Sequence, residues 1–294
     1  MPRIEKCSEL LKKIEQFETY VRNICKDERA SNIVICAGDT GLGKTYRAGK
    51  IISEMLKAKK IPAMKILDNT VTSLGLYQTM WQLREGGVIL IDDVNNIICD
   101  KKNGIPLLKV ATDTYAERHV SWNSNDRRIV KVSKYNPKDN LEVFDHYNSL
   151  CDSNTKLFAL RETGEAVPDM FYFKGAIVII TNKSWESFDK ITDGALGCRG
   201  KHLEIRTSLN CSIDYLKKMA PSIKESSSLK LDKKTKDAVL KYMTTNKEVL
   251  NFYLTKCIKP SLRSFGFMCE DYISEGAKGL TLDNLEANTI KEQY

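Results

Sequence analysis

The octapeptide GDTGLGKT, Gly38 to Thr45, constrains this 294-residue chain more than any other stretch. Its pattern, G-x-x-x-x-G-K-[ST], is mechanical. Backbone N–H groups of a glycine-rich turn face inward around phosphates, the Lys ammonium reaches the outer ones, and the Thr hydroxyl reaches magnesium. Such a loop needs a strand before it and a helix after it, because the helix N-terminus adds a dipole that favours an anion. Both flanks comply. NIVICAG, Asn32 to Gly38, is a short apolar run rich in β-branched residues, as a buried parallel strand is, and KTYRAGKIISEML carries apolar residues at helical spacing. Gly38, Asp39, Thr40, Gly41, Leu42, Gly43, Lys44 and Thr45 are therefore candidate nucleotide ligands, with Thr45 also a candidate magnesium ligand.

Strands and helices alternate around this loop. An amphipathic helix over 5–27 precedes it, with Leu10, Leu11, Ile14, Phe17, Tyr20, Val21 and Ile24 at spacings of three and four. After it, IPAMKIL reads as a strand, SLGLYQTMWQLREGG as a helix, GVILIDD as a third strand, Pro106 to Tyr115 as a helix, His119 to Trp122 as a short strand and Ala176 to Thr181 as a further strand. The alternation predicts an α/β fold: a parallel-sheet P-loop core with helices on both faces. After Ile205 the periodicity is helical throughout, which predicts a small all-α lid domain. The expected organisation is an N-terminal helix over 1–30 packing on the core, a nucleotide-binding domain over 31–207 and a lid over 208–294. Within the nucleotide-binding domain, 123–170 breaks the pattern. There RRIVKVSKY and KLFALRETG read as strands between the turn-rich NPKDN and LCDSN, and the stretch is expected to be a β-rich insertion.

A phosphate loop leaves magnesium half-held and water unplaced. The strand GVILIDD supplies two acids at its end. Asp92, after four apolar residues, is the candidate metal partner, and Asp93 is the candidate for orienting water. Asn182, ending GAIVIITN, is a neutral amide that can bond water or phosphate without adding charge. Seventeen residues on, Arg199 stands in the glycine-flanked, exposed-looking ALGCRG, and Arg263 opens a helix in PSLRSF.

The ordered set GDTGLGKT, VILIDD, IVIITN, ALGCR and PSLR resembles the AAA+ ATPase family over about residues 30 to 270. Within it the chain looks most similar to ATPases encoded by tailed bacteriophages, through LLKVATDT (Leu107 to Thr114) and RHVSW (Arg118 to Trp122). The resemblance implies ATP and Mg2+ as cofactors, Lys44 and Thr45 on phosphates and metal, Asp92 on the metal, and Asp93 in place of the usual catalytic Glu. It implies Asn182 as first sensor, Arg199 as an arginine finger reaching a neighbouring subunit, and Arg263 as second sensor. A finger in trans implies a homo-oligomer, a ring or open spiral, commonly of six. Asp is one methylene shorter than Glu, so slow hydrolysis is an expectation too.

Composition bounds the setting. No apolar run approaches the roughly 20 residues of a membrane span, and the charged start MPRIEKCSELLKKIEQ is not a signal peptide, so the protein is expected to stay where it is made, the host cytoplasm if phage-encoded. Nine scattered cysteines, without a C-x-x-C pair, read as reduced thiols. The formal net charge is +8, and Cys211 to Pro260 holds eleven Lys against five acids. Such a segment suits nucleic acid, an acidic partner or a solvated helical face. Two loads stay open: DNA, for a helicase-loader-like motor of phage replication or recombination with its Lys-rich lid against phosphates, or a protein complex, for a chaperone-like remodeller. A nucleotide kinase or GTPase reading fits less well; TNKSWESFD has Trp185 where a guanine-reading N-K-x-D needs Asp.

Overall fold

The structure is a computed structural model describing residues 3–26, 31–68, 70–93, 95–115, 118–136, 138–226 and 229–290, with the side chains of 95 and 290 excluded. Residues 1–2 and 27–30 of the expected N-terminal segment and 227–228 and 291–294 of the expected lid lie outside the described residues. The chain forms two compact units, one of 16–37 and 45–203, the other of 1–15, 38–44 and 204–294.

The elements run α1 (Cys7–Ile24), β1 (Ile33–Gly38), α2 (Lys44–Lys57), β2 (Met64–Leu67), α3 (Ser73–Gln82), β3 (Val88–Asp92), α4 (Asn95–Ile98), α5 (Gly104–Ala111) and β4 (His119–Ser121). They continue with β5 (Ile129–Val130), α6 (Asn140–Asp152), α7 (Thr155–Glu162), β6 (Val167–Pro168), β7 (Met170–Tyr172), β8 (Ala176–Thr181), α8 (Trp185–Ile191) and β9 (Lys201–Ile205). The C-terminal part holds α9 (Leu209–Met219), β10 (Glu225–Ser226), β11 (Leu229–Lys230), α10 (Lys233–Thr245), α11 (Lys247–Lys256), α12 (Leu262–Glu275) and α13 (Leu282–Ile290).

The main sheet has the order β2-β3-β8-β1-β9, and the pairs β2–β3, β3–β8 and β8–β1 are parallel. β1 and β8 are buried at every position, as continuous apolar runs at the centre of a parallel sheet must be. α1 is helical for the reason its spacing gives: Leu10, Ile14, Phe17, Val21 and Ile24 share one stripe and all are buried.

The insertion differs from expectation. KLFALRETG is not a strand but α7, and α6 precedes it; only two-residue strands, β5 and β6, flank them in parallel. The polar residues that read as turns are helix caps. Asp139 accepts from the N–H groups of Leu141 and Glu142, and Asn154 from those of Lys156 and Leu157. Removing the first cap, Asp139→Ala, is expected to cost about 1 kcal/mol, read as a lower denaturation midpoint at unchanged slope. The insertion is also tied into the core of its unit. Trp81 of α3 meets Tyr147 of α6 at 5.8 Å, and Tyr77 Oη donates to Pro168 O at 2.8 Å.

Strands do not stop at Ile205. β10 and β11 form a short antiparallel hairpin in the otherwise helical C-terminal part, whose core gathers Leu216, Val239, Met243, Tyr253, Phe265, Met268 and Leu285. None of the nine cysteines, all among the described residues, is in a disulfide, and five of them are buried. Among the described residues no helix is long and apolar enough to cross a membrane.

Candidate nucleotide site

In the sheet unit, strand order brings the acids and the amide together. β8 lies between β1 and β3, with Thr181 beside Ala37 and Ile180 beside Asp92, so three strands end at one edge. Thr45, in the first turn of α2, donates from Oγ1 to Asp92 Oδ1 at 2.9 Å. Asp93 follows with φ of 53° and its N–H on Ile180 O at 2.9 Å. Asp tolerates this left-handed conformation better than most residues with a Cβ, which gives a local reason for Asp where the resemblance implies Glu. Its Oδ2 accepts from Asn182 Nδ2 at 2.8 Å, while Oδ1 is 3.4 Å from both Thr181 Oγ1 and Asn182 N. The candidate water-orienting acid and the candidate sensor are thus hydrogen-bonded to each other. Thr181, fully buried, is a partner that sequence reasoning missed; its position just before the strand-ending Asn was the available signal.

Arg199 is not in the exposed setting its glycine-flanked sequence suggested. Its side chain is 24% exposed and its guanidinium is occupied within its own unit. Nε donates to Lys109 O at 3.1 Å, Nη1 donates to Ala195 O, and Nη2 is 3.8 Å from Asp113 Oδ2. Lys109 O is among the last carbonyls of α5, where a cation satisfies an orphan acceptor and the helix dipole together.

In the other unit, the loop 38–44 is held by the C-terminal helices. Lys44 is 6% exposed and donates to Gly38 O at 2.8 Å and Asp39 O at 2.6 Å. Leu42 O accepts from Tyr215 Oη of α9 at 3.1 Å, and Gly41 O accepts from Leu262 N at the start of α12 at 3.1 Å. Gly41 has φ of 67°, and a Cβ there would lie 2.1 Å from Ser261 Cβ, so glycine is required by conformation and by close approach. Asp39 Oδ2 accepts from Thr207 N at 2.7 Å, Thr207 Oγ1 at 2.8 Å and Lys259 Nζ at 2.6 Å. Burial alone raises the Asp39 pKa, but the Lys259 and Thr207 bonds and the Lys259 charge outweigh it, leaving the carboxyl below its ordinary range. That stabilisation is complete above the ordinary Asp value and is lost as pH falls through the lowered one.

Tyr215 carried no sequence signal, Lys259 only its place directly before PSLR and Ser261 only its place within it, because nothing local records a contact between distant stretches of chain. Arg263 is exposed in the first turn of α12, its N–H on Ser261 Oγ at 3.1 Å, and its side chain makes no hydrogen bond or ion pair among the described residues. A cavity of about 300 Å³ opens within this unit beside Asp39, Thr40, Leu42, Thr207, Ile258 and Pro260.

The donors present fit a magnesium–nucleotide complex. Thr45 Oγ1 and Asp92 Oδ1 are hard oxygens, and no cluster of three His, Cys, Asp or Glu among the described residues offers an all-protein cage. Magnesium at phosphate sites uses one or two protein oxygens and completes its shell with water and phosphate.

No protein-family profile matches the sequence. The chain is 35% identical over 94 residues, 31% of its length, to an uncharacterized 36.7 kDa protein of the nrdC-mobD intergenic region of Enterobacteria phage T4, and the match spans 27% of that protein. Its structural neighbours are AAA+ ATPases. They include a mutant of RuvB from Thermotoga maritima (TM-score 0.45, 11% identity, 99% of this chain and 73% of that one). Others are Hsp104 with ATPγS and FITC-casein (0.44, 12%, 95% and 41%) and PCH-2 of C. elegans (0.36, 14%, 96% and 67%).

Proposed function

We propose, from a P-loop α/β fold of the AAA+ type, that this chain is a magnesium-dependent ATPase that assembles with copies of itself. One observation carries the reading: Thr45, the last residue of the phosphate-loop sequence, is bonded to Asp92, and Asp93 is bonded to Asn182 at the ends of adjacent strands. In this reading Lys44 and the loop amides bind the phosphates, and the cavity beside Asp39 and Leu42 takes the nucleoside. Thr45 and Asp92 hold the metal, which when bound neutralises charge on the transferring phosphoryl group. Asp93 orients the attacking water, and Asn182 positions Asp93 and the terminal phosphate. Arg199 of a neighbouring copy and Arg263 of the same chain supply cations to the developing charge.

The test is Lys44→Ala. Loss of a charge-assisted phosphate contact worth about 1.5 to 3 kcal/mol predicts ATP binding about 10- to 150-fold weaker, measured by calorimetry. Unchanged affinity would remove the site assignment.

The load we assign is DNA, in phage replication or recombination, as for a helicase loader. The alternative is a chaperone-like remodeller of protein complexes. It draws on the apolar side chains that the insertion leaves in solvent, Leu141 at 66%, Phe158 at 40% and Phe144 at 37% exposed. Turnover stimulated by DNA and weakened by salt supports the first reading; turnover indifferent to DNA but dependent on protein concentration supports the second.

A further inference from the structure

We infer that the hairpin β10–β11 and the outward face of α10 form a sequence-independent docking surface for a nucleic-acid phosphate backbone; this deepens the reading as a DNA motor and rests on it for its purpose. Between 217 and 241 the sequence carries eight Lys against three acids. The structure places this charge, exposed, on three successive elements of one unit, α9, the hairpin and α10. Lys233, Lys234 and Lys241 fall within about 100° of one another around α10, opposite its buried stripe of Thr235, Val239 and Met243, and all three are exposed. Lys224 and Lys230 are exposed on the hairpin, and Lys218 is exposed at the end of α9, which contacts α10.

The described backbone beneath these lysines is tied down at several points. Leu231 N donates to Lys224 O at 2.9 Å, and Lys236 Nζ ties α10 to Pro221 O at 2.9 Å and Ile223 O at 3.2 Å. The turn-side end of β10 rests on α12, where Ser226 Oγ donates to Glu270 and a Cβ at Gly266 would lie 2.7 Å from Ser226 Oγ.

The three acids nearby do not cancel the charge. Asp232 caps α10, accepting from Thr235 N at 2.7 Å, Glu225 stands across the hairpin from Lys230, and Asp237 is exposed on the lysine face of α10. Among the described residues none of the six surface lysines lies within ion-pair distance of an acid, whereas Lys256 and Lys259 of the same unit do. Ammonium groups in excess over the nearby acids suit a phosphate backbone by charge and release its counterions on binding. Its lack of planar donors and aromatic platforms argues against base reading.

The experiment is fluorescence anisotropy of the full-length protein with a short labelled DNA duplex, and with its single strand and an RNA duplex of equal length, across salt. The reversal pairs K224E/K230E and K233E/K234E are each expected to weaken binding by about tenfold or more at low salt and to lower the salt slope by about 0.9 for each phosphate no longer engaged on duplex DNA. Basal ATP turnover should be unchanged. The pairs K224Q/K230Q and K233Q/K234Q should move affinity the same way by less, which keeps the test valid if a reversal unfolds the protein. Unchanged DNA affinity in the folded variants, or capture of poly-glutamate but not nucleic acid by the wild type, overturns the assignment. Lys44→Ala separates the two proposals: its ATP affinity judges the nucleotide site, and the anisotropy series judges this surface.

Discussion

Asp93→Asn is expected to lower steady-state ATP turnover by about 10² to 10⁴-fold while leaving ATP affinity within about twofold, the range lost when a positioned base is removed. The separation follows from geometry. Asp93 is bonded to Asn182 and Thr181, not to Lys44 or Thr45, so neutralising it leaves the phosphate and metal contacts proposed for those residues in place. Asn keeps the shape, tolerates the left-handed backbone and still accepts one amide bond, so the fold should survive. The companion variant Asp93→Glu asks whether the short side chain limits the rate. Glu fits φ of 53° less readily and overshoots the 2.8 Å contact with Asn182, so it is expected not to exceed wild-type turnover. Rapid-quench kinetics with radiolabelled ATP measure both; full turnover in Asp93→Asn would move the water-orienting role elsewhere.

The second large effect is on Arg199. As a finger its loss should reduce turnover by about 10³-fold or more at concentrations where the chain associates. The structure adds a rival cause, since the same guanidinium holds Lys109 O and Ala195 O within its own unit. Arg199→Ala therefore carries a stability cost of order 1 kcal/mol for an uncapped helix end, and a rate measurement by itself does not distinguish the roles. Mixing does. In a mixed assembly of Arg199→Ala with Asp93→Asn, one class of interface pairs an intact Asp93 with an intact Arg199, and turnover should rise well above that of either variant alone. No recovery, together with a lowered melting temperature for Arg199→Ala, would assign Arg199 to capping α5 and end its role as a finger. Recovery would also establish assembly, which the trans role requires.

The sequence alone determined the elements whose instructions are local. The strand-loop-helix around GDTGLGKT, the apolar strand ending in Asp92, the strand Ala176 to Thr181 and the stripe of α1 were all legible because periodicity and loop chemistry are read within a few residues. The insertion was misread where local signals are ambiguous. Asp139 and Asn154 suit a turn and a helix cap equally; the packing of Val143, Tyr147 and Cys151 against the core supports α6, while α7 buries no residue and is marked by its Asn154 cap. Tertiary structure decided the rest. It set β8 between β1 and β3, which brings Asn182 to Asp93. It turned Arg199 onto α5 and bound the loop 38–44 to Tyr215, Lys259 and Leu262. Those pairings join residues as far apart as Gly41 and Leu262, 221 positions, where chain connectivity imposes no geometry and only the closing of a shared core selects partners.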